Sequence, residues 1–246
     1  MTGVQTCALP ISLFANATGQ SVPEDGYHGS YLKEIADAIV AQDPGILDLP
    51  KDESVIEFRD RGYQLQLREQ QEVLEKFNTH FDNWFSEKSL YIYNSDGDNQ
   101  FDRALKRLRE HGHIFVEGGA TWLRTTDFGD DKDRVIMKSD GSLAYFASDC
   151  AYYDSKRERG FDVNIYLLGA DHHGYVGRLK AICAARGDDP EFNIEVLIGQ
   201  LVKILEDGVE LRLSKRAGTV ITLEELIEKV GVDAARYTLI RYPATT

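Results

Sequence analysis

Val163-Asn164-Ile165-Tyr166-Leu167-Leu168, followed at once by Gly169-Ala170-Asp171-His172-His173-Gly174 and a helical pattern from Tyr175 to Arg186, is the stretch whose reading decides the fold. Six mainly apolar residues read as a buried strand, and a strand that ends on a glycine turn and enters a helix is the first half of a βαβ unit. Gly187 stops that helix. On either side strand and helix patterns alternate. A helix is expected over about Ala147 to Arg159. Ile194, Leu197, Ile198 and Leu201 predict another amphipathic helix, which grades into an alternating pair around Asp207-Gly208, with Val209, Leu211 and Leu213 apolar on its second arm. Thr222 and Glu225 form a capping-box pattern, Gly231 closes the helix they begin, and a last helix starts at Asp233. Such alternation predicts an α/β fold with a parallel sheet in the C-terminal half.

The N-terminal half reads differently. A loop is expected from Ser12 to Gly26, then a helix with Tyr31, Ile35 and Ile39 on one face, a polar connector over 41–54, and a long helix from about Val55 to His80. Phe81 to Phe85 is an aromatic segment, read as a strand end or a buried corner. The helix over 100–111 points Phe101, Leu105 and Leu108 inward and Arg103, Lys106, Arg107 and Arg109 outward; those four bases could meet RNA, though a solvated face is the favoured reading. His113 to Val116, Thr121 to Arg124 and Arg134 to Lys138, with turns at Glu117-Gly118-Gly119-Ala120 and Ser139-Asp140-Gly141, predict a small β-rich insert. The domain reading is therefore 12–112 for the remainder of the first half, 113–140 for a small connecting insert and 141–246 for the second half. Residues 1–11 resemble the conceptual translation of a sequencing-library adapter and read as an assembly artefact, with a disordered terminus as the alternative.

Composition narrows the function. The 246 residues carry a formal charge of −13 and are 42% hydrophobic, which supports a buried core and excludes a chain whose whole surface binds a polyanion. No apolar run approaches the roughly 18 to 20 residues of a membrane span. Three widely spaced cysteines, Cys7, Cys150 and Cys183, fit a reduced cytoplasmic protein without a CxxC zinc pair.

Three groups of residues carry chemistry. In an open parallel sheet ligands sit beyond the carboxyl ends of the strands, so Gly169, Asp171 and His172 stand where a site belongs, next to the free N–H groups of a helix start. Adjacent His172 and His173 do not make a metal pair, because neighbours on one turn rarely reach the same ion; capping and substrate contact fit better. Tyr145 and Asp149, four apart on a helix, can recognise a cation by ring contact and paired hydrogen bonds, or can be a core tyrosine and a helix-dipole acid. Arg212-Leu213-Ser214-Lys215-Arg216-Ala217-Gly218 is a basic loop that is either a solvated turn or a clamp for a triphosphate, with Lys215 stabilising departing pyrophosphate.

Tyr145-Phe146-Ala147-Ser148-Asp149, Gly169-Ala170-Asp171-His172-His173-Gly174-Tyr175, Arg212 to Gly218 and Gly231-Val232-Asp233-Ala234-Ala235-Arg236-Tyr237 together resemble the bacterial arginyl-tRNA synthetases. Pro23-Glu24-Asp25-Gly26-Tyr27 and Gly118-Gly119-Ala120-Thr121-Trp122 extend the likeness from about Ser12 to the end. The resemblance implies a class I catalytic domain: a Rossmann-type parallel sheet, incomplete here, that joins arginine to ATP with Mg2+ and transfers it to tRNA(Arg), with no protein-bound metal. It implies catalytic roles for Lys215, Ser214 and Arg212, ATP contacts from Gly169, Asp171, His172, Lys215 and Arg216, and arginine contacts from Tyr145, Asp149 and His172. Arg212 and Leu213 stand where the family signature has lysine and methionine. The His-x-Gly-His signature is not found, so the chain reads as an internal fragment, inactive alone, of a monomeric, cytoplasmic, membrane-free ligase. A non-catalytic module binding nucleotide or amino acid, and a nucleotidyltransferase of the same fold, are the alternatives.

Overall fold

In the computed structural model, which describes residues 8–200, 202–206, 208–210 and 221–241, the described residues form two units: one takes those from Ala8 to Phe81 and from Lys203 to Arg241, the other those from Asp82 to Val202. The first begins with three helices, α1 (Ala8–Thr18), α2 (Tyr31–Gln42) and α3 (Lys51–Lys76). Leu13 and Phe14 of α1 pack with Leu32, Ala36, Ile39, Ile46 and Phe58 into one apolar cluster. The loop expected from Ser12 is thus a helix as far as Thr18. Its polar residues do not oppose this, because Ser12, Asn16 and Thr18 each bond a carbonyl one turn back. Ala8 to Ile11, set apart in the sequence, form its first turn. Gly62 lets α1 come close: a Cβ there would lie 2.6 Å from Leu13 Cδ1. On α2 the buried stripe is Leu32, Ala36 and Ile39, whereas Tyr31 is exposed.

The second unit holds α4 (Gln100–Glu110), strands β1 (Ile114–Glu117), β2 (Ala120–Leu123) and β3 (Arg134–Met137), then α5 (Tyr145–Glu158), β4 (Asn164–Gly169), α6 (Val176–Ala185) and β5 (Ile194–Gly199). Strands β1, β2 and β3 form an antiparallel sheet in that order, as the insert predicts. Gly118 and Gly119 take φ of 57° and 78° in its first turn, the left-handed backbone that a two-residue hairpin needs. Strands β4 and β5 pair in parallel through α6, from Asn164↔Ile194 to Gly169↔Gly199.

Ile194 to Ile198, expected as a helix, is therefore a strand. Its Ile, Val, Leu and Ile satisfy a helical stripe and a strand equally well, and length and β-branching favour the strand. Strand β4 is also less buried than its composition suggests. Asn164, Tyr166 and Leu168 face α5 and α6, whereas Ile165 and Leu167 are 54% and 79% exposed. After β5 come a hairpin of β6 (Leu205–Glu206) and β7 (Val209–Glu210), then α7 (Leu223–Val230) and α8 (Val232–Ile240). The capping box at Thr222 and Glu225 and the stop at Gly231 are present as read. Within the first unit, Lys76 pairs with Glu224 at 2.8 Å, and Arg236 donates to the carbonyls of Phe77 and Asn78. Among the described residues no helix is long and apolar enough to cross a membrane.

The core of the second unit gathers Phe101, Leu105 and Leu108 of α4, Leu123 and Ile136 of the insert, Phe146, Ala147, Cys150, Ala151 and Tyr153 of α5, and Leu179, Ile182 and Cys183 of α6. One carboxylate lies inside it. Asp154, with its side chain 3% exposed, accepts from Arg107, from Arg186 Nε at 2.7 Å and from Gln100 at 3.2 Å. Arg186 and Arg157 in turn share Asp188, which also accepts from Tyr153. Arg107, read as outward-facing, is thus a buried-side partner of α5, and Arg103 bonds Asp98 and Glu158. Removing one member of a buried charged network strands the others. Asp154→Ala is expected to lower the unfolding free energy by about 3 to 5 kcal/mol, measured by urea denaturation, and a loss under about 1 kcal/mol would contradict this account.

Candidate functional site

A cavity of about 210 Å³ opens in the second unit between α5 and the segment 85–90, lined by Phe85, Glu87, Leu90, Ser148, Asp149 and Tyr152. That size suits a small ligand or one long side chain rather than a drug-sized molecule. Helical spacing puts Ser148 and Tyr152 one above the other, with Asp149 beside them, while Ala147, Cys150 and Ala151 turn into the core. The facing segment is a short 3-10 turn, Glu87–Tyr91, anchored by buried Leu90.

Hydrogen bonds hold the two sides together. Ser148 Oγ donates to Glu87 Oε1, so the 2.6 Å contact between Tyr91 Oη and Ser148 Oγ leaves the tyrosine as donor. Tyr175 donates its hydroxyl to Asp149 Oδ2 at 2.5 Å. Stacked rings form the wall: Phe85 lies 4.6 Å from Tyr152, centroid to centroid, at 30°. Arg159 covers Phe85 at 5.7 Å, and Lys156 sits 4.3 Å over Tyr152 and 3.6 Å over Tyr166.

The electrostatics follow. Burial pushes the Asp149 carboxyl above its ordinary range; the Tyr175 hydrogen bond opposes this, the Glu87 charge adds to it, and the charges of Arg178 and Lys156 pull the other way. Two carboxylates thus line one cavity, and Asp149 has part of its solvation removed. An arriving planar cation with several N–H donors would satisfy both and lie against the rings. Arg178 stacks on Tyr175 at 4.9 Å, and its Nε has no hydrogen-bond partner among the described residues.

The sequence-read residues are distributed as follows. Asp149 lines the cavity. Tyr145, the first residue of α5, is 84% exposed and does not line it; Phe85 and Tyr152 supply the rings. Gly169, Asp171 and His172 lie exposed at the end of β4 and in the 3-10 turn Ala170–Tyr175 that leads into α6. His172 Nε2 is 3.7 Å from Asp171 Oδ2. A Cβ on Gly169 would stand 2.7 Å from Asp171 Oδ1, a contact that the exposed Asp171 side chain can relieve by rotating away. Tyr175, closing the same turn, bonds Asp149 and so brings the strand-end residues and the cavity to one side of the unit. Arg212, Ser214, Lys215 and Arg216 lie outside the described residues. Among the described residues no three His, Cys, Asp or Glu are grouped to hold a metal. Glu87 is the residue that sequence reasoning missed, since nothing in Ser86-Glu87-Lys88-Ser89 marks it before the fold brings it to Ser148.

Residues 46–240 match the family described as tRNA synthetases class I (R), catalytic domain. The chain is 53% identical over 239 residues to an arginine--tRNA ligase of Kineococcus radiotolerans and 52% identical to one of Frankia alni. It spans 42% of the length of these curated relatives, which cover 97% of it. A crystal structure from Campylobacter jejuni assigned to the arginyl-tRNA synthetases superposes with a TM-score of 0.83 at 29% identity, over 97% of this chain and 51% of that one. The arginyl-tRNA synthetase of Plasmodium falciparum, at 13% identity and a TM-score of 0.57, covering 96% of this chain and 38% of its own, shares the fold.

Because the native Asp149 carboxyl keeps its proton to higher pH than an unfolded one, the native state binds more protons there, and stability falls as pH rises through that window. Asp149→Asn keeps an acceptor for Tyr175 and removes this loss. Its urea stability is expected to match the parent near pH 4 and to exceed it at pH 7; a gap that stays constant would refute the burial of this charge.

Proposed function

This chain belongs to the class I (R) tRNA synthetase catalytic-domain family, and on that premise we propose that it carries the arginine-selecting site of an arginine--tRNA ligase. The observation that carries the proposal is the cavity in which Asp149 and Glu87 face one another beside the stacked rings of Phe85 and Tyr152. A guanidinium is planar, permanently charged and rich in donors, so it matches two carboxylates and an aromatic wall; a lysine ammonium is a point charge that matches neither as well. Tyr175 and Ser148 orient the two acids; Tyr145 and His172, which do not line this cavity, are assigned to the part of the arginine that extends beyond it.

In the proposed reaction the arginine carboxylate attacks the α-phosphorus of ATP, forming arginyl-adenylate and releasing pyrophosphate. A hydroxyl of the terminal adenosine of tRNA(Arg) then takes the arginyl group and releases AMP. Gly169, Asp171 and His172, beyond the end of β4, are assigned to the ATP, which arrives with its Mg2+. Arg212, Ser214, Lys215 and Arg216 are assigned to the triphosphate, with Lys215 stabilising the charge that develops on pyrophosphate. The protein would act in the cytoplasm, and as a monomer.

Calorimetric titration tests the pocket. L-arginine is expected to bind at least tenfold more tightly than L-lysine or the neutral isostere L-citrulline, and Asp149→Ala is expected to abolish the preference. For the activation step the measurement is exchange of pyrophosphate into ATP. Exchange supported equally by L-lysine or L-methionine would overturn the assignment.

A further inference from the structure

Lys156 is a partly buried amine in the second unit that the proposed reaction leaves unused. It is half-buried on α5, between the rings of Tyr152 and Tyr166, and no carboxylate lies within ion-pair distance of it among the described residues. Other lysines differ: Lys33, Lys76, Lys106 and Lys180 each pair with an acid. Around Lys156 the charged and titratable groups are Asp149 and Tyr152 of α5, Arg159 at its C-cap and Tyr166 of β4, with Tyr166 Oη lacking a hydrogen-bond partner among the described residues. Arg159 is three residues on, one helical turn away, and both cations attach to the same stacked column.

A lysine becomes a nucleophile when it is desolvated or set beside another cation, because both conditions favour the neutral amine. Lys156 meets both. Burial, and then Arg159, push its amine down to about 8, while Asp149 opposes them. The ring faces favour the ammonium but offer its nitrogen no acceptor, so a lost proton leaves the lone pair free.

We propose that Lys156 is an acyl-acceptor site, a nucleophilic amine that takes acyl groups from small activated carboxylic acids such as acyl phosphates and thioesters. The Nζ lone pair attacks the acyl carbon, the bond to phosphate or thiolate breaks with its electron pair leaving on that group, and one proton passes from Nζ to solvent. The product is a neutral amide, which removes a positive charge from the column that walls the cavity.

The test is competitive trace acetylation of the purified chain from pH 6.5 to 10.5, with acetyl phosphate in one arm and an acetyl thioester of N-acetylcysteamine in the other, read by peptide mass spectrometry. At pH 7.5 Lys156 is expected to gain acetyl at least tenfold faster than Lys33 or Lys106, with its rate levelling above pH about 8 to 9. The arm that labels identifies the donor. Arg159→Gln is expected to move the inflection upward and to slow labelling at pH 7.5, with the circular dichroism spectrum unchanged. If Lys156 labels no faster than the exposed lysines in both arms, or shows no inflection below pH 10, the proposal fails.

Discussion

A single carboxylate taken out of water governs the second unit. Asp154 is enclosed by Arg107 of α4 and Arg186 at the end of α6, and Gln100 takes up remaining capacity. Burying an ion costs several kcal/mol before its partners compensate, so α4, α5 and α6 are stable together only in the arrangement that brings both guanidinium groups to it. The same network extends through Arg186 and Arg157 to Asp188 and Tyr153. Helix α5 is thereby oriented about its own axis. One side carries Ala147, Cys150, Ala151 and Asp154 into the core, and the side left over presents Ser148, Asp149 and Tyr152 to the cavity. A structural charge and a functional charge share a helix, separated only by the helical rotation between positions 149 and 154.

The wall of that cavity is built on a related principle. Arg159, Phe85, Tyr152, Lys156 and Tyr166 follow one another as cation, ring, ring, cation, ring. Each cation gains from a ring face, and the rings gain area by stacking, so the column is rigid without needing a carboxylate partner for Lys156. Asp149 then forms no ion pair with Lys156 and remains available to a ligand, although the lysine charge still acts on it.

Local patterns made much of this legible. The Asp-Gly and Gly-Gly turns, the capping box at Thr222, the apolar face of α4 and the strand-turn-helix at Gly169 all depend on residues within a few positions of one another, and they stand as read. What was hidden depends on distant partners. The segment 194–199 is apolar at positions that suit either period, and only pairing with β4 decides for a strand. Ser12 and its neighbours look like loop residues until their hydroxyls bond back along α1. Arg107 looks like a solvated base until Asp154, 47 positions away, claims it. Of the site, Asp149 was readable from its spacing to Tyr145, but the rings that flank it, Phe85 and Tyr152, and the second acid, Glu87, come together only through the tertiary fold.

The contact of Ser148 with Glu87 closes a stretch of 61 residues, and α4 together with the whole antiparallel insert lies inside it. Closure entropy grows only with the logarithm of the enclosed length, so doubling such a loop costs about 0.6 kcal/mol. Additions at the insert's exposed turns, such as Gly118-Gly119, therefore cost little, whereas Leu123 and Ile136 tie its strands to the core beside the two acids. Selection for what enters the cavity and selection for what the insert's turns touch are thereby separated, and a lineage can revise those turns without renegotiating the acids.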